Sequence, residues 1–199
     1  IRRTQLERSR RGNTSSYRKI HDSAGAKKFG QQLPTPLHND LNIVVLNFID
    51  MLSHARTESR MVRELANSEA AYRSITQSWF RHSAVSELFR TLASMDCRII
   101  LTTDHGSVRA NNPVKVVGDK NTNTNLRYKL GKNLAYNAKE VYEIRDPRKA
   151  GLPAPNISTA YIFAQNQDFL AYPNNYNYYV QYYRDTFQHG GTSLEEMLV

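Results

Sequence analysis

Apolar positions along the chain fall into two kinds of run. Leu41 to Ile49 reads Leu-Asn-Ile-Val-Val-Leu-Asn-Phe-Ile. It is β-branched and apolar on both faces, which predicts a strand buried between helices in a parallel sheet, stopping at Asp50. Cys97 to Thr102 (Cys-Arg-Ile-Ile-Leu-Thr) has the same character and ends just before Asp104-His105-Gly106. Between Glu58 and Met95 the period changes: Val85, Leu88, Phe89, Leu92 and Met95 recur at helical offsets, the stripe of an amphipathic helix facing a core. The two strands and the helices between them form a unit expected to cross over right-handedly in one sheet. Residues 1–38 are polar and predict a helix followed by a connector, because Pro34 and Pro36 end helical continuation. Asn111 to Asn137 alternates Asn and Thr with scattered cations and predicts a long hairpin or loop. Thr159 to Ala164 predicts a short strand ahead of a tyrosine-dense segment, Tyr172 to Tyr183.

Composition narrows the class. Hydrophobic residues at 40%, charged residues at 23%, and only 9 Gly and 7 Pro exclude collagen-like, low-complexity and wholly disordered chains. No apolar run approaches the roughly 20 residues of a bilayer helix, so no membrane insertion is expected. The lone Cys97 cannot form an internal disulfide, which favours a cytoplasmic location, and it reads as a small buried hydrophobe. The net charge of +9 is uneven: residues 1–30 hold nine basic and two acidic side chains. That basic arm suits either a solvated face or a phosphate-bearing partner such as a nucleic acid.

Candidate chemistry sits at the element ends. Asp50 with His54, and Asp104 beside His105, follow the two expected strands, and in open α/β sheets the carboxyl ends of strands face the ligand crevice. Asp oxygen and His nitrogen are common zinc ligands, converging from several chain segments. His189, flanked by Gly190 and Gly191, offers a third segment. Each motif alone is common by chance; their order is the informative part.

Four stretches carry a family resemblance: Asn47 to His54, Thr102 to Ser107, Asn125 to Lys129, and His189 to Glu196. Together they resemble the PglZ domain of the alkaline phosphatase superfamily, and within it the effector domain of PorX-type response regulators of type IX secretion. The resemblance implies an α/β fold, an alkaline phosphatase-like central sheet flanked by helices, with residues 39–199 as the C-terminal part of that domain and 1–38 as a basic helical segment or connector. It implies a metal-dependent phosphoester hydrolase, a phosphodiesterase on small nucleotides or oligonucleotides. Asp50, His54 and His189 would hold one metal, and Asp104 and His105 part of a second. Zinc, two ions in the intact domain, is favoured over manganese or magnesium by the mixed His and Asp set. A sigma factor, a secretion-system protein or a second copy of the chain are the macromolecular partners this setting admits. The family also places a further Asp and a Thr or Ser nucleophile on an early strand. No such pair reads from the residues before Asp50, since Asp22 and Asp40 lie in polar surroundings, so both are expected to precede Ile1.

Other residues keep two readings. Arg127 and Lys129 would bind substrate at the mouth of the site, or line a solvated hairpin. The tyrosines would stack on bases or pack a helix against a sheet. Glu195 and Glu196 would support a metal ligand or enrich a helix start. A non-catalytic, zinc-stabilised interaction module is the alternative to an enzyme.

Overall fold

The computed structural model describes residues 14–33, 38–119 and 121–197. It divides into two compact units, residues 1–100 and 101–199. Most of the basic arm, residues 1–13, and the Pro34 and Pro36 connector lie outside the described residues.

The first unit is built on a parallel strand pair. β1 (Ser15–Ile20) runs beside β2 (Leu41–Leu46), in register from Ser15↔Leu41 to Ile20↔Leu46. The helix expected through this stretch is therefore corrected to a strand at Ser15–Ile20. Its side chains are mostly polar, so the pattern hides it; the ladder with β2 supplies what its own sequence lacks. Asp40 reinforces that pairing by accepting from the Thr14 backbone N–H at 2.7 Å and the Thr14 hydroxyl at 3.0 Å, and these bonds hold its carboxyl below the usual carboxylate range. α1 (Ser23–Gln32) follows, capped by Asp22, whose Oδ1 accepts the Gly25 N–H at 2.6 Å.

β2 is shorter than expected, because α2 (Phe48–Glu58) begins at once, and it is half-buried rather than buried, with Leu41 exposed. Then come α3 (Arg60–Leu65), α4 (Glu69–His82) and α5 (Ala84–Ala93). Ser59, Ser68 and Ser83 cap them by accepting from Val62, Ala71 and Val85 amides. Four of the five stripe positions are core: Val85 and Leu88 are buried with Ile20, Ala26 and Phe29, while Phe89 and Leu92 pack against them; Met95 lies beyond the helix, which ends at Ala93. The expected strand at Cys97 to Thr102 does not form. Among the described residues β2 pairs only with β1, and Cys97, Ile100 and Leu101 are exposed rather than buried. Apolar, β-branched composition favours a strand only where a neighbouring ladder exists to receive it.

The second unit is made of short strands. β3 (Val108–Ala110) pairs antiparallel with β9 (Thr186–Gln188), and β4 (Asn112–Lys115) parallel with β8 (Asp168–Ala171). β5 (Tyr128–Gly131), β7 (Ala160–Ala164) and β6 (Val141–Ile144) form an antiparallel sheet in that order. Val114, Val116, Val141, Ile162, Ala164 and Leu170 make one core. Ala110, Phe169, Ala171 and Val180 make a second, against which Tyr176 and Tyr183 pack. Those tyrosines lie on α6 (Tyr176–Tyr183), so the packing reading of the tyrosine segment describes its inner face, while Tyr178 remains exposed. A last turn, α7, spans Leu194–Met197. The whole is mixed α/β, as expected. No helix among the described residues is long and apolar enough to cross a membrane.

Candidate metal centre

Asp50 and His54 belong to the first unit. Both lie on α2, one turn apart, with His54 Nε2 3.4 Å from Asp50 Oδ1. Asp50 occupies the first turn, where the unsatisfied amides of a helix start favour a carboxylate. Two contacts orient that turn. Phe48 stacks face to face on Trp79 of α4, with ring centroids 4.2 Å apart. The Tyr72 hydroxyl donates to the Ile49 carbonyl at 2.9 Å. Burial, then the nearby Asp50 charge, pushes the Tyr72 phenol up to about 12, so it stays a donor across the working pH range.

Asp104, His105 and His189 belong to the second unit. The His105 and His189 rings lie face to face, centroids 3.7 Å apart and 12° from parallel. His105 Nδ1 donates to the Gly106 carbonyl at 2.9 Å. A carbonyl can only accept, so the neutral ring keeps its lone pair on Nε2, the tautomer a metal ligand requires. Asp104 Oδ1 is 3.8 Å from that Nε2, and its side chain is open to solvent. A set of histidine nitrogens and aspartate oxygens fits zinc and related divalent cations.

The motif glycines are explained by what faces them. A Cβ on Gly106 would stand 1.9 Å from the Glu195 carbonyl oxygen, and the Gly106 N–H donates to the Glu196 carbonyl at 3.0 Å. Gly190 has φ of +105° and lies against the Tyr128 ring. Gly191 lies over the Arg127 guanidinium, where a Cβ would come within 2.6 Å of a guanidinium nitrogen.

Arg127 is thus inside the fold, fully buried, and paired with Glu196, which is buried as well. Its Nε donates to Glu196 Oε2 at 3.0 Å and one terminal nitrogen to Glu196 Oε1. Its other donors reach the Ser193 hydroxyl at 2.9 Å, the Asn166 carbonyl at 2.9 Å and the Asp168 carbonyl. Glu196 in turn accepts the Gly191 N–H at 2.7 Å and the Ser193 N–H at 3.3 Å. The solvated-hairpin reading of Arg127 is overturned, and its donors all face protein groups. Of the two glutamates, Glu196 is the one turned inward. Ser193-Leu194-Glu195-Glu196 is a capping-box spacing, and that was the local signal pointing to it.

Lys129 is also buried, which removes the solvated reading there too. Its Nζ donates to the Asn123 carbonyl at 3.2 Å and sits 4.3 Å above the Tyr172 ring. Desolvation lowers its pKa from 10.5 to about 8. Between those two values the unfolded chain binds more protons than the folded one, so this group adds stability as pH rises from about 8 to 10.5. Below pH 8 the fold carries the cost of a buried cation. Lys129→Met is therefore expected to be more stable than wild type at pH 7 and to lose that advantage as pH approaches 10. Urea midpoints at pH 7, 8, 9 and 10 check this; a gap constant with pH would refute it.

The expectation that no strand followed by an Asp and a Thr or Ser precedes Asp50 is corrected: β1 ends at Ile20, Asp22 and Ser23 come just after it, and Asp22 Oδ1 caps α1 by accepting the Gly25 N–H. His21, His38 and His82 are exposed.

The family model of the BREX system PglZ alkaline phosphatase-like domain matches residues 3–199. No curated protein matches the chain.

Proposed function

Because the chain belongs to the PglZ family of alkaline phosphatase-like domains, we propose that it is a zinc-dependent phosphodiesterase, hydrolysing small nucleotides or oligonucleotides as the effector of a PorX-type response regulator that controls type IX secretion. The family supports metal-dependent phosphoester hydrolysis as the reaction class; diester preference, zinc and the regulatory setting rest on the four motif stretches that resemble PorX-type effectors. The observation that carries the reading is the His105–His189 pair, two imidazoles brought together from the Asp-His-Gly and His-Gly-Gly segments.

The ligand set proposed is Asp50, His54 and His189 for one cation, with Asp104 and His105 contributing to a second. When bound, divalent cations supply electrostatic stabilisation of the phosphoryl oxygens in an in-line displacement. The chain's own groups prepare for this. The Gly106 carbonyl fixes the His105 tautomer. Tyr72 and Trp79 steady the helix turn that bears Asp50. Solvent-open Asp104 offers its carboxyl oxygens 3.8 Å from His105 Nε2. The basic arm, if it contacts nucleic acid, adds a salt-sensitive affinity without specificity.

Metal content and turnover of a bis-aryl phosphodiester against an aryl phosphomonoester, with and without chelator, test the proposal in the full chain. Zinc at one to two equivalents and chelator-sensitive diester hydrolysis are expected, on the order of the two-ion sites of this chemistry. Wild-type zinc content in the Asp104→Ala, His189→Ala double variant would sink the ligand assignment. Zinc binding with no hydrolysis of either ester would favour the non-catalytic module.

A further inference from the structure

We infer that the buried Arg127–Glu196 pair is a positioning device that holds the His189 loop against the Asp104–Gly106 turn, setting the two imidazoles face to face before any ion is bound. Its link to metal affinity rests on the function proposed above; the positioning itself is read from the second unit alone.

The argument follows the hydrogen bonds outward from the pair. Glu196 has two oxygens and four donors around them: two from the Arg127 guanidinium, the Gly191 amide and the Ser193 amide. The carboxylate therefore fixes the chain two and four residues beyond His189. The same residue reaches the other histidine through its backbone, since its carbonyl accepts the Gly106 N–H at 3.0 Å, one residue after His105. Glu196 is thus bonded to both histidine-bearing segments, through its side chain to one and its main chain to the other. Arg127 anchors this junction to the rest of the unit by donating to the carbonyls of Asn166 and Asp168, beside β8. It can do so because Gly191 leaves the face of the guanidinium uncovered.

A residue that only filled the core would require none of this connectivity. Burying two charges is costly, and apolar residues of similar size would serve packing as well or better. What the pair provides instead is direction: a planar fork and a carboxylate whose bonds admit one arrangement of the loop. Such supports commonly alter metal affinity by about 10- to 100-fold when removed.

The test uses Glu196→Gln, which preserves size and an accepting oxygen, and Gly191→Ala, which presses on the guanidinium from the opposite side. Two measurements are made on the full chain: zinc affinity by competition with a chromophoric chelator, and amide hydrogen exchange in the metal-free protein. Both variants are expected to bind zinc about 10- to 100-fold more weakly. Both should also lose exchange protection in residues 104–107 and 188–193 while β5 and β7 keep theirs. Zinc affinity within about two-fold of wild type overturns the link to the metal, and unchanged exchange in those segments overturns the positioning, even where affinity falls. A wild-type chain that takes up no zinc fails the proposed function, and the metal-free exchange result then decides the positioning on its own.

Discussion

Arg127→Ala is expected to destabilise the second unit by about 3–5 kcal/mol, the cost of leaving a buried carboxylate without its cation. The Glu196 side chain is 1% exposed, so the truncation leaves its carboxylate buried without a counter-ion. The substitution also strands the carbonyls of Asn166 and Asp168 and the Ser193 hydroxyl, each of which accepts from Arg127. Denaturant unfolding followed by the near-ultraviolet signal of the tyrosines, most of which lie in residues 101–199, measures it. Arg127→Met combined with Glu196→Leu should recover much of the loss, because it removes both charges together. That rescue of stability is expected without rescue of zinc affinity, which separates the electrostatic cost from the directional role. An Arg127→Ala cost below about 0.5 kcal/mol would contradict the burial argument.

Gly106→Ala is the second large effect. The added Cβ would meet the Glu195 carbonyl oxygen at 1.9 Å, and the obstacle is backbone rather than the end of a flexible side chain. The Asp104–Gly106 turn must move away from α7, breaking the Gly106 N–H bond to the Glu196 carbonyl. Overpacking of this kind costs about 1–3 kcal/mol, occasionally more. The larger consequence falls on His105, one residue away, whose ring would leave its place over His189. Zinc affinity is expected to fall by about 10- to 100-fold. The ring-proton chemical shifts of the two histidines, shaped by their mutual stacking, should move toward those of isolated imidazoles. Retention of the stacked shifts would show that the turn tolerates the methyl group.

These two residues also show where the sequence could and could not be read. Val85, Leu88, Phe89 and Leu92 announced their helix and its buried face because both follow from local periodicity. Leu41 to Leu46 announced a strand through its β-branched, apolar composition. Ser15–Ile20 did not, since a parallel partner across a helical crossover supplies its stability and nothing in Ser-Ser-Tyr-Arg-Lys-Ile reports that partner. Cys97 to Thr102 erred in the opposite direction: strong strand composition, but no ladder among the described residues. At the candidate site the histidines and aspartates were legible as motifs, and the His105–His189 stack joins two of them. The burial of Arg127 was not legible. Its counter-ion stands 69 positions away, and a cation beside an Asn/Thr run looks solvated until that distant carboxylate is found.

The stack of Phe48 on Trp79 carries one more consequence. Trp79 is the only tryptophan in the chain, and its ring lies in contact with the residue that opens the helix bearing Asp50 and His54. Indole emission excited at the red edge is therefore an intrinsic optical label of that helix start, with no competing chromophore elsewhere in the sequence. A divalent cation engaging Asp50 can be titrated by its colour and intensity without attaching a dye, and the twelve tyrosines stay dark at that wavelength.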